Sequence, residues 1–162
     1  LVLNDVGPAI QWEALERIGQ YLGQPVRFAS EQQAADMLWA LSTGFGPHTP
    51  QQWMDLTRPL LRALPGGGWG LHYDPAIAVP FRALTQEAAA AGESALWQWY
   101  DQIQARTLLL RGAQSDLLSR ATAQAMGQRG PRAALVEFEG VGHVPTLVAD
   151  AQVAAVASFL PD

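Results

Sequence analysis

The chain has 162 residues, enough for one domain burying roughly 70% of its unfolded surface, and its 49% apolar and 15% charged residues suit a packed globule rather than a disordered segment. A net charge of −5 with no basic run argues against binding a nucleic-acid backbone, and no apolar stretch reaches the roughly 20 residues that cross a bilayer. The absence of cysteine excludes disulfides, thiolate metal sites and a Cys nucleophile, leaving a small molecule or another protein as the expected partner.

The chain opens on Leu1, Val2 and Leu3, an apolar run that stops at Asn4-Asp5 and Gly7-Pro8. A buried parallel strand reads this way as it reaches the carboxyl edge of its sheet. The opening has neither the basic start nor the small-residue cleavage site of a signal peptide, so a cytoplasmic location is expected. Ala14, Leu15, Ile18, Tyr21 and Leu22 recur at helical spacing, predicting an amphipathic helix over 9–22 that ends at Gly23. Ser30 followed by Gln33 reads as a capping box for a second helix to about residue 42. Thr49-Pro50 with Gln52 starts a third, with Trp53, Leu56, Leu60 and Leu61 along one face until "PGGGWG" (65–70) breaks it. Leu96, Trp97, Trp99, Tyr100 and Ile103 fall close together on a fourth helix over 95–104, and no strand is expected between residues 9 and 104.

Beyond residue 105 the texture changes. "TLLLRG" (107–112) is a short buried strand stopped by Gly112, 119–128 a helix, and "AALVEFEG" (133–140) a second strand. Asp150 is expected to cap a last helix running to Leu160. Strands alternating with helices imply right-handed parallel crossovers. The expected class is α/β: three parallel strands with flanking helices, built from 1–8 and 105–162, with an all-helical insertion over 9–104.

In parallel sheets, reactive groups gather in loops at the carboxyl ends of the strands. Those loops hold Asp5, Asp116 (in "RGAQSD") and His143 (in "EGVGH"). A carboxylate and an imidazole on adjacent loops can meet, the first fixing the tautomer of the second, and Gly140 and Gly142 permit the tight turn that aims the ring. All six tryptophans lie between residues 12 and 99. They either pack small helices together or line an apolar ligand pocket, for which Trp39, Trp53, Trp97 and Tyr73 are the candidates. "HYDP" (72–75), with His72, Tyr73 and Asp74 together, reads as a packed turn, the alternative being a site in the helical insertion or a Tyr that polarises a leaving oxygen. The three His residues have no metal-ligand spacing, so no metal is expected, and no cofactor.

The stretches "LLLRGAQSDLLS", "VEFEGVGHVPTL" and "QVAAVASFL" resemble the C-terminal part of an α/β-hydrolase-fold enzyme. The resemblance implies Asp116 as catalytic acid, His143 as general base, and a helical cap inserted after the strand at Leu1, Val2 and Leu3. Asp5 is the alternative acid, because some relatives carry a carboxylate after that earlier strand. The family's nucleophile sits in a Gly-x-Ser-x-Gly turn, and this sequence contains none. "ALSTG" (40–44) centres Ser42, but a helical pattern precedes it and a loop follows; Ser115 falls on the acid loop; "GGGW" (66–69) lies within the cap. The expected function is therefore hydrolysis of a small, largely apolar ester or related carbonyl substrate, with nucleophile and oxyanion donors outside this chain. The alternative is a catalytically inactive fragment or binding module that keeps the cap pocket. An unpaired edge on the first strand would favour self-association, or pairing with an N-terminal half.

Overall fold

A computed structural model describes residues 1–160. In chain order the elements are β1 (Val2–Asn4), α1 (Trp12–Tyr21), α2 (Glu31–Leu41), α3 (Pro50–Thr57), β2 (Leu61–Ala63), β3 (Trp69–Leu71), α4 (Ala78–Ala83), α5 (Gln86–Asp101), β4 (Leu108–Gly112), α6 (Arg120–Gln128), β5 (Ala134–Phe138) and α7 (Asp150–Phe159). The chain divides into two compact units. One contains Leu1–Glu16, Gly44–Gly46 and the chain from Leu84 onward; the other contains Arg17–Thr43 and Pro47–Ala83.

The first unit is built on a parallel sheet of order β1-β4-β5. Val2 pairs with Leu108 and Leu108 with Ala134, so the three strands start level; Asn4, the last residue of β1, pairs with Leu110, and β4 and β5 run two residues further, to Gly112 and Phe138. The central strand β4 is buried along its whole length, which its unbroken leucine run requires, since a parallel strand covered on both faces has no polar side to present. Leu109 packs with Tyr100, Leu118, Ala123, Met126 and Ala133, flanked by Leu3, Trp97 and Leu135. Ser119 caps α6 by accepting from the Thr122 N–H at 3.0 Å, which is why the helix begins there. The last helix begins as expected, but Asp150 is its first residue rather than its cap, and Ala149 in the cap position makes no side-chain bond.

The second unit has its own small core of Phe28, Ala34 and Leu61, packed by Val26, Trp69 and Leu71. Ser30 and Thr49 cap α2 and α3 as their sequences predict, each accepting from the backbone N–H three residues on. Two expectations for residues 9–104 are corrected. "PGGGWG" does not merely break a helix: β2 and β3 form an antiparallel hairpin around it. Gly66, Gly67 and Gly68 all have positive φ (81°, 89° and 75°), a left-handed run that only glycine adopts without steric cost. Backbone bonds between Phe28 and Trp69 at 2.9 Å in both directions extend the pairing. The aromatic helix also starts earlier than residue 95: Thr85 caps α5 through the Ala88 N–H. Among the described residues no helix is long and apolar enough to cross a membrane.

Candidate active site

The carboxyl ends of β1, β4 and β5 bring Asp5, Ser115 and His143 together within the first unit. Asp5 follows β1 with φ at 56°, a conformation Asp tolerates better than most residues. Its N–H still donates to the Leu110 carbonyl at 2.8 Å, completing the ladder with β4. The turn leaves the carboxylate fully buried and met by three donors. Oδ1 accepts from the Gly112 N–H at 3.1 Å. Oδ2 accepts from the Ser115 hydroxyl at 2.6 Å and pairs with His143 Nδ1 at 2.8 Å. A carboxylate only accepts, so the Nδ1 bond places a proton on Nδ1, and in the neutral ring Nε2 then holds the lone pair. The imidazole is 23% exposed, against zero for Asp5. It can therefore meet a reactant while its partner cannot.

The His143 loop lies against the end of β4 because Gly112 has no side chain: a Cβ there would fall 2.0 Å from the Gly142 carbonyl oxygen. The Gly142 N–H donates to the Gly44 carbonyl at 2.5 Å, and the Asn4 amide donates to the Pro145 carbonyl at 2.9 Å, tying the far side of the loop to β1. On the Ser115 side, the buried Arg111 guanidinium donates to the carbonyls of Leu118 (2.9 Å) and Ala113 (3.2 Å) and pairs with Glu137 at 2.8 Å. Ser115 Oγ also accepts from the Leu117 and Leu118 N–H groups at 3.3 and 3.1 Å. The acid loop is thus pinned at both ends, with the hydroxyl directed at Asp5.

His143 is where the sequence placed it, but its Nδ1 partner is Asp5, the alternative, and not the favoured Asp116. Asp116 lies next to Ser115 on the same loop and is exposed. Ser115 and Arg111 were not anticipated as parts of this arrangement. The available signals were a lone Arg inside an apolar run and a Ser placed two and three residues before a buried Leu pair. Ser42 is the C-cap residue of α2. Among the described residues no group of three or more His, Asp or Glu side chains could hold a metal ion.

The proposed pocket residues separate. Trp53 is buried, donates its indole N–H to the Ala35 carbonyl at 2.7 Å, and packs on Trp39 with centroids 5.6 Å apart. Trp97 meets Tyr100 edge-on at 5.8 Å and lies under the Arg129 guanidinium. These three pack elements together. Tyr73 instead lines a cavity of about 450 Å³ within the second unit, with Tyr21, Met37, Leu41, Leu60 and His72 among its walls.

No family model matches the chain. The 3-hydroxybutyrate-oligomer hydrolase of Cupriavidus necator is 49% identical, over 98% of this chain and 55% of that protein. An alpha/beta hydrolase from Novosphingobium aromaticivorans superposes with a TM-score of 0.77 at 34% identity, covering 98% of this chain and 55% of the other. A protein from Rickettsia typhi described as a hydrolase gives 0.82 at 27% identity, covering 98% and 52%. The chain thus spans about half the length of the relatives it matches.

Proposed function

The chain belongs to the α/β-hydrolase superfamily, and on that premise we propose that it carries the acid and base of a catalytic triad that hydrolyses aliphatic esters. The observation behind this reading is the 2.8 Å pair between His143 Nδ1 and a fully buried Asp5. In the proposed mechanism, Nε2 of His143 takes the proton of the nucleophile and later returns it to the leaving group. Asp5 holds the tautomer and stabilises the imidazolium that forms. Asp5 takes the role that the sequence favoured for Asp116.

The nucleophile and oxyanion donors are proposed to come from outside these 162 residues. The serines with described bonds support this. Ser30 and Ser119 cap helices, Ser42 ends α2 with its N–H on the Trp39 carbonyl, Ser158 bonds back to the Ala154 carbonyl, and Ser115 bonds Asp5. The substrate is proposed to be a short hydroxyacyl ester, by likeness to the oligomer hydrolase. The test is hydrolysis of p-nitrophenyl butyrate by the full-length protein. His143→Ala and Asp5→Asn are each expected to lower kcat by about 10³–10⁴-fold, while Asp116→Asn stays near wild type. A full loss in Asp116→Asn with activity kept in Asp5→Asn would reverse the acid assignment.

A further inference from the structure

One cavity of the second unit, the one bordered by both His72 and Tyr73, combines aliphatic walls with side-chain donors that have no described acceptor. Met37, Leu41 and Leu60 are 40%, 68% and 51% exposed, and all three border this one space together with Leu22 and Leu38. Exposed large apolar side chains scattered singly need no explanation, but a converging set marks a binding surface. The polar lining consists of Tyr21, Gln24, Ser42, His72 and Tyr73, and no Asp, Glu, Lys or Arg side chain contributes. Tyr73 Oη accepts the Gly23 N–H at 2.9 Å, and its own proton has no acceptor among the described residues. The His72 backbone N–H is satisfied by the Leu60 carbonyl at 2.7 Å, while its imidazole has no described partner.

We propose that this cavity is a binding site for short, uncharged aliphatic esters. An ester carbonyl only accepts hydrogen bonds, which is what the Tyr73 hydroxyl and an imidazole N–H can supply. The acyl chain lies along the leucine and methionine walls. A free carboxylate would find no counter-charge there, and a plain alkane would leave the donors unpaired. The assignment deepens the ester-hydrolase reading and rests on it for the choice of ligand class.

The test is a titration of isotope-labelled protein with ethyl butyrate, followed through amide chemical shifts, with sodium butyrate as the charged control. Ethyl butyrate is expected to shift the amides of Leu41, Leu60, His72 and Tyr73, and sodium butyrate to leave them unmoved. Leu41→Lys, at an exposed position that tolerates charge, should weaken binding at least tenfold; Tyr73→Phe should weaken it several-fold. The titrations are run in the His143→Ala protein, so that the proposed hydrolysis does not consume ethyl butyrate. Shifts that map elsewhere, equal binding of butyrate, or insensitivity to both cavity variants would overturn the site. Ester binding in the cavity of a full-length protein that hydrolyses no ester would overturn the proposed function alone. Hydrolysis without any shift in the cavity would overturn this inference alone.

Discussion

At the scale of single residues, the arrangement turns on how one buried carboxylate is satisfied. Burying an unpaired carboxylate is prohibitive, and burial with a full set of donors is not. Asp5 finds a backbone N–H, a hydroxyl and an imidazole, and Ser115 is the donor that can be removed without touching the Asp5–His143 pair. Ser115→Ala is expected to lower the urea unfolding free energy by about 1.5–3 kcal/mol, the usual worth of a hydrogen bond to a charged group. It should also lower kcat more than it raises KM, because the carboxylate loses a support that fixes its angle to His143. Ser115→Thr keeps the hydroxyl and should recover most of both, whereas a loss as large as that of alanine would mean the site needs the serine side chain for packing alone. The choice between Asp5 and Asp116 was not legible in the sequence. Both follow apolar strands, and chain spacing does not reveal which side chain turns inward. That depends on the left-handed turn at Asp5 and on donors over a hundred residues away.

At the scale of elements, α5 and α6 are joined by contacts that titrate in opposite directions. Tyr100 donates to the Met126 carbonyl at 2.7 Å. Burial raises its hydroxyl above the ordinary value of 10, the charge of Asp101 adds to the rise, and a backbone bond at Ala133 opposes it. The folded form thus keeps this proton longer than the unfolded form. The contribution is whole below about pH 10 and is lost as the pH climbs through the folded value. Tyr100→Phe should cost about 1 kcal/mol at neutral pH, at the low end because Met126 still accepts from the Ala133 N–H. In urea unfolding the gap to wild type should narrow above pH 10, and a gap that widens there would contradict the burial argument. The Arg129 guanidinium beside Asp101 holds that carboxyl below the ordinary range by hydrogen bonding and charge. Its contribution is present above the unfolded carboxylate value and disappears as acid protonates it. The Tm difference between wild type and Asp101→Asn should therefore close on acidification and in high salt, a small effect because the pair is exposed. The starts of α2 and α3 were legible because caps are local: Ser30 and Thr49 each act within three residues, whereas the Thr85 cap of α5 went unread. The β2–β3 hairpin was not, since three-residue strands carry almost no period and this one is fixed by Phe28, distant in sequence.

At the scale of the whole molecule, the parallel core follows from apolar runs ended by turn residues, and the strands lie side by side in chain order, β1-β4-β5, as strands consecutive along a chain commonly do. That order leaves β1 with a ladder to β4 on one side and, among the described residues, no strand on the other. Leu1 is 49% exposed, and Val2 and Leu3 are only half-buried. Parallel strands rarely occur without cover, and an uncovered apolar edge templates pairing with another strand. The 162-residue chain is therefore expected to self-associate through β1, or to retain any N-terminal segment of the same protein that supplies a partner strand. Sedimentation over a dilution series should show concentration-dependent association, and Val2→Lys, which places a charge on the edge, should return it to monomer. A monomer at every concentration would remove the edge argument. Association that survives Val2→Lys would move the contact away from β1, to the opposite edge at β5 or to the exposed apolar residues bordering the cavity. Those last two are separable in turn, because Leu41→Lys alters only the cavity face.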